Sequence, residues 1–90
     1  MGNDTKPKLL IVDDDEGLLH ALELYFERHD YQVVKAKKGS EGLRKLYQCH
    51  PHLVCLDVMM PGIDGWDVLQ RIRDMTDVPV IMLTARGAET

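Results

Sequence analysis

Two aspartates, Asp13 and Asp14, follow a run of four apolar residues in LLIVDD, and a third, Asp57, closes a second apolar run in LVCLD. A further run, VPVIML, delivers Thr84. Carboxylates are costly beside an apolar core and beside one another. Two at about 4 Å repel by roughly 4 kcal/mol at an effective dielectric of about 20. A hard divalent cation removes that conflict, because Mg2+ takes oxygen ligands and usually keeps several waters. The pattern reads as a cation site drawn from Asp13, Asp14 and Asp57, with the Thr84 hydroxyl at the same edge. Aspartates after a strand also serve as helix N-caps, and Asp14 or Asp15 could cap the next helix. Asp15 and Glu16 suit that role, since acids favour a helix N-terminus. Separate capping roles do not account for Asp13, Asp14 and Asp57 together.

The elements that must position these groups alternate along the chain. Leu9–Val12 and Leu53–Leu56 are short continuous apolar runs, as in strands buried on both faces, and VPVIML is a third. Tyr31–Ala36 predicts a less buried strand. Leu18, Leu19, Leu22, Tyr25 and Phe26 recur at helical spacing and predict a helix from about Glu16 to Arg28. A second helix is expected in SEGLRKLYQC, with Ser40 as N-cap, an apolar face of Leu43, Leu46 and Tyr47, and Pro51 ending it. A third should start at Asp64 and bury Trp66, Leu69 and Ile72, with Val68 a further candidate. The order β-α-β-α-β-α-β implies right-handed crossovers and a parallel sheet with helices on both faces. In such sheets ligands sit beyond the carboxyl ends of the strands, which is where the acids fall.

The chain of 90 residues has room for one small domain, with residues 1–8 a polar flexible leader and 9–90 the domain. Its net charge of −4 and lack of a basic stripe argue against direct nucleic-acid binding. No apolar run is long enough for a membrane span and the leader is too polar for a signal peptide, so a cytoplasmic protein is expected. Cys49 and Cys55 lack metal or redox spacing and read as reduced thiols. His20, His29, His50 and His52 show no convergent spacing, and Met59–Met60 reads as loop and core filling.

LLIVDDDEGL, LVCLDVMMPGIDGWDVLQRIR and VPVIMLTAR resemble the receiver domain of bacterial two-component response regulators over nearly all of Lys8–Arg86. The resemblance implies a flavodoxin-like parallel sheet of order 2-1-3-4-5. It makes Asp57 the acceptor of a phosphoryl group from a sensor histidine kinase. Asp13, Asp14, Asp57 and the Met59 backbone carbonyl become the ligands of Mg2+ or Mn2+, Asp13 mostly through water. Thr84 becomes the phosphoryl contact and switch, with Ala85 keeping the approach open and Pro61 and Gly62 shaping the Met59 loop. The LTAR and MMPG segments are in the style of transcription factors with a winged-helix output domain.

Family members continue with another helix, a fifth strand carrying a phosphate-contacting lysine and an aromatic switch residue, and a last helix. The sequence given stops at Thr90, so the resemblance implies a receiver cut short, with sheet order 2-1-3-4 and the fourth strand at an edge. VPVIML is apolar and uncharged, the kind of edge that recruits another chain, and self-association is expected. Two rival readings remain. One is a docking or dimerisation fragment that is never phosphorylated. The other is a phosphohydrolase of the haloacid dehalogenase type, with Asp13 as nucleophile and Asp15 as acid/base, which leaves Asp57 and MMPGIDG unexplained.

Overall fold

The computed structural model describes residues 6–60, 62 and 64–83. Four strands, β1 (Lys8–Val12), β2 (Gln32–Ala36), β3 (Leu53–Asp57) and β4 (Val80–Leu83), alternate with helices α1 (Glu16–Arg28), α2 (Gly39–Cys49) and α3 (Gly65–Met75). The sheet is parallel throughout, in the order β2-β1-β3-β4. This is the flavodoxin-like arrangement expected from the sequence, with β1 and β3 adjacent. Among the described residues, no helix is long and apolar enough to cross a membrane.

Strand parity sorts the core into two layers. Leu10, Val12, Val54 and Leu56 point to α2 and α3, where they meet Leu46, Val68 and Ile72. Leu9, Ile11 and Cys55 point to α1 and pack on Leu19, with Leu22 and Phe26 at the margin. The four β1 residues Leu9–Val12 are at most 1% exposed, so neither face of that strand can carry a polar group. Burying each such side chain is worth roughly 1.5–3 kcal/mol, which anchors the strand that carries the acids.

Asp15 caps α1, its side chain accepting from the Leu18 N–H, and Asp64 caps α3, accepting from the Trp66 N–H at 2.7 Å. α2 differs from the expectation. Its N-cap is Lys38, which makes no side-chain cap bond, so Ser40 lies inside the first turn. Glu41, in the first turn, reaches back to accept from the Lys37 N–H ahead of the cap. α2 stops at Cys49 because the residue before Pro51 is driven out of helical geometry; His50 adopts a left-handed conformation there (φ 50°). The helices also bury narrower faces than the periodicity implied. Tyr47 is 72% and Trp66 57% exposed, and Tyr25 and Leu18 are exposed as well. In α3 the turn inward falls on Val68 and Ile72, so Trp66 is carried to the outside. β2 begins at Gln32, one residue later than expected, because the Tyr31 N–H closes the turn onto the Phe26 carbonyl.

One glycine is required where α3 meets the site strand. A Cβ on Gly65 would stand 2.5 Å from the Asp57 carbonyl oxygen and 2.6 Å from Val58 Cα. Backbone cannot give way as a side chain can, so α3 would have to move off β3. Gly65→Ala is expected to lower unfolding free energy by about 1–3 kcal/mol, the usual cost of overpacking, measurable as a lower urea midpoint.

Candidate metal and acceptor site

The register places the acids side by side. Val12 is opposite Leu56 across β1 and β3, so the next residues, Asp13 and Asp57, emerge together at the carboxyl edge. Both share the parity of Ile11 and Cys55, which puts them on the α1 side of the sheet. Asp14 joins them from the turn into α1. One carboxylate oxygen from each of the three lies within 4.8 Å of the others. They line an open depression of about 410 Å³, whose remaining wall is Asp15, Leu18, Leu22 and Leu83.

The three carboxylates differ in setting. Asp13 is 3% exposed, and its Oδ1 accepts the Asp15 N–H at 3.0 Å while its own N–H donates to the Ala36 carbonyl. Burial pushes its carboxyl above the usual range, the Asp15 N–H opposes that, and the negative charges of Asp57 and Asp14 push it further up. Asp57 is half-buried and Asp14 is exposed. Asp57 Oδ1 accepts the Met59 N–H at 3.1 Å, a local turn at the end of β3, and Met59 stands half out of the protein. Three oxygen donors at the mouth of an open depression, one of them unfavourably charged without a counterion, fit a small hard cation. The donor set offers neither thiolate nor imidazole, since Cys55 lies in the core and no histidine joins the cluster.

The site therefore unites Asp13, Asp14 and Asp57 as the sequence indicated, and Asp15 serves the helix. Thr84, Pro61 and Ala85 lie outside the described residues. The apolar wall of Leu18, Leu22 and Leu83 was not anticipated. Its signal was present in the strand parity, since Leu83 stands opposite Asp57 in the β3–β4 register.

Fold and site together define a doubly wound α/β domain with an acidic centre at the switch point of its sheet. The family model for the response regulator receiver domain matches residues 9–90, and the chain belongs to that family. It is 46% identical over 81 residues to the transcriptional regulatory protein AfsQ1 of Streptomyces coelicolor, covering 90% of this chain and 36% of that protein. It is 39% identical to the transcriptional regulatory protein ResD of Bacillus subtilis, covering 99% of this chain and 37% of ResD. The chain thus spans little more than a third of these relatives. Among solved structures, the N-terminal domain of a response regulator receiver protein from Methanoculleus marisnigri JR1 superposes with a TM-score of 0.85 at 39% identity, covering 88% of this chain and 67% of that one. TrrA from Thermotoga maritima, solved in complex with Mg(2+)-BeF, gives 0.83 at 35% identity, covering 88% and 70%.

Proposed function

We propose that this domain accepts a phosphoryl group on Asp57 from the phosphohistidine of a sensor histidine kinase and relays the signal to an output domain, most simply a transcriptional one. The observation that carries the reading is the convergence of Asp13, Asp14 and Asp57 within 4.8 Å at one sheet edge. A carboxylate is already ionised at neutral pH and needs no separate base to act as nucleophile. An Asp57 oxygen forms the new bond to phosphorus as the phosphorus–nitrogen bond to the donor imidazole breaks, leaving an acyl phosphate. Asp13, Asp14, Asp57 and the Met59 carbonyl are the residues that would hold Mg2+ or Mn2+. The ion, when bound, supplies charge neutralisation for the transferring group. Asp13, the most buried acid, holds its place through the Asp15 N–H and serves the ion mostly through water. Thr84 is assigned as the phosphoryl contact and switch, on the resemblance alone. Hydrolysis of the acyl phosphate belongs to the same site, so the domain takes part in its own dephosphorylation. TrrA, a member of the same fold at 35% identity, is described with Mg(2+)-BeF, which supports the same chemistry here.

The test is Mg2+-dependent labelling by acetyl phosphate, or trapping with beryllofluoride, followed by peptide mapping. Modification of Asp57 supports the reading. Modification of Asp13 instead overturns it in favour of the phosphohydrolase mechanism.

For the 90-residue chain, self-association is a second expectation, favoured by one observation. Among the described residues, β4 is the outermost strand on its side of the sheet, with Ile81 49% exposed and no charged residue in VIML. Edges of that composition pair with other strands. Light scattering at tens of micromolar should give a mass above the monomer, and a clean monomer rejects this expectation.

A further inference from the structure

Among the described residues, Lys35, Lys37 and Lys45 are each held by a glutamate. Val12 is opposite Ala36 as well as Leu56, so Lys37, Asp13 and Asp57 follow in register across β2, β1 and β3. Parallel strands lie about 4.8 Å apart, which puts the Lys37 backbone one strand from Asp13 and two from Asp57. Lys37 also shares the parity of Val33, which faces α1. A lysine side chain placed there has the length to reach the Asp13 or Asp14 carboxylate. It does not do so. Its ammonium donates to Glu16 Oε2 at 2.6 Å, and its backbone N–H is held by Glu41. Each neutralises the other's environment: Lys37 holds the Glu16 carboxyl below its usual range, and Glu16 raises the Lys37 ammonium. The same selectivity recurs beside it, with Lys35 on Glu23 at 2.8 Å and Lys45 on Glu41 at 3.1 Å. Among the described residues, every ion pair uses a glutamate and none uses Asp13, Asp14 or Asp57.

We propose that Glu16 is a positioning residue that keeps the Lys37 ammonium off the acidic cluster, leaving Asp13, Asp14 and Asp57 open to a divalent cation. Without Glu16, Glu41 is the other acid acting on the ammonium, and the acidic cluster, one strand away, competes with it for the freed side chain, which becomes an internal competitor for the metal. Glu16 acts through Lys37 and touches neither metal nor phosphoryl group. The inference rests on the metal-site reading above, and the experiment separates the two.

Mg2+ is titrated by calorimetry into wild type, Glu16→Gln, Lys37→Met and the double variant. Both side chains lie at the surface, 73% and 55% exposed, so the variants should fold, and urea midpoints check this. Glu16→Gln should weaken Mg2+ binding roughly five-fold, the effect of a unit charge brought a few ångströms from the site in a largely aqueous setting. Lys37→Met should bind within about two-fold of wild type, because its ammonium is already sequestered. The double variant should return to the wild-type value, and Glu16→Asp should recover part of the loss. If Glu16→Gln costs the same factor with Met at position 37, the charges act additively and the proposal fails. If all three variants weaken binding alike, Glu16 only braces α1 and the proposal fails again. A wild type that does not bind Mg2+ in the millimolar range overturns the metal-site reading itself; one that binds with an additive cycle overturns the Glu16 assignment alone.

Discussion

Asp57→Asn should abolish Mg2+-dependent labelling by acetyl phosphate, a loss of at least about 10³-fold, as expected when a covalent nucleophile is removed. Asparagine keeps the oxygen that accepts the Met59 N–H, so the Asp57–Met59 turn should hold. It also removes one of three clustered negative charges, so the metal-free fold should be no less stable than wild type. The measurement is labelling stoichiometry by intact mass alongside a urea unfolding curve. Retained labelling in the variant would point to Asp13 or Asp14 as acceptor. Asp57→Glu is the companion variant: it restores the charge but displaces the carboxylate by a methylene, and should label poorly while still binding Mg2+.

Asp13→Asn should move stability and metal affinity in opposite directions. The asparagine oxygen can still accept the Asp15 N–H, so the turn into α1 survives. The buried like charge is lost, and the metal-free protein should gain about 1–2 kcal/mol, between the aqueous and protein limits for like charges at contact. Mg2+ affinity should fall roughly 10- to 100-fold, the cost usual for losing a group that supports a metal from behind its water. The pH dependence follows from the raised carboxyl of Asp13. The folded protein holds that proton more tightly than the unfolded chain, whose value is near 3.8. The contribution to stability is complete below 3.8 and is lost as pH rises through the higher folded value. The difference between metal-free wild-type and Asp13→Asn unfolding profiles should show this decline. The Glu16 and Glu41 carboxyls are lowered, and their opposite trend cancels in the difference. Saturating Mg2+ should reverse the wild-type trend, because proton and metal compete for the same oxygens.

Much of this was legible because strand burial and strand register leave marks in sequence. A run such as LLIV can be a strand buried on both faces, and an acid directly after it lands at a sheet edge. The periodicity of α1 gave its limits, and Asp15 and Asp64 announced themselves as caps by type and position. Periodicity failed where it had to choose a helix face from few residues. Tyr47 and Trp66 are apolar enough to read as core, yet a helix of 11 residues over a narrow sheet has room to bury only a thin stripe. Ser40 looked like a cap by type alone. The cap position is Lys38, with Glu41 reaching back to the Lys37 N–H, an interaction that type and spacing do not rank above the alternative.

What the sequence determined alone is the identity of the acids and their place at strand ends, because the composition of each run dictates burial and the residue after it must emerge. It also carried the family signature in D-x-M-M-P-x-x-D-G. What only the tertiary structure decided is which groups share space. The pairing of β1 with β3 brings residues 44 apart in sequence into one site, since long-range register depends on how the whole sheet closes over its two apolar layers. The same closure lays Lys37 beside Asp13 and gives its ammonium to Glu16, an outcome set by side-chain reach across three elements.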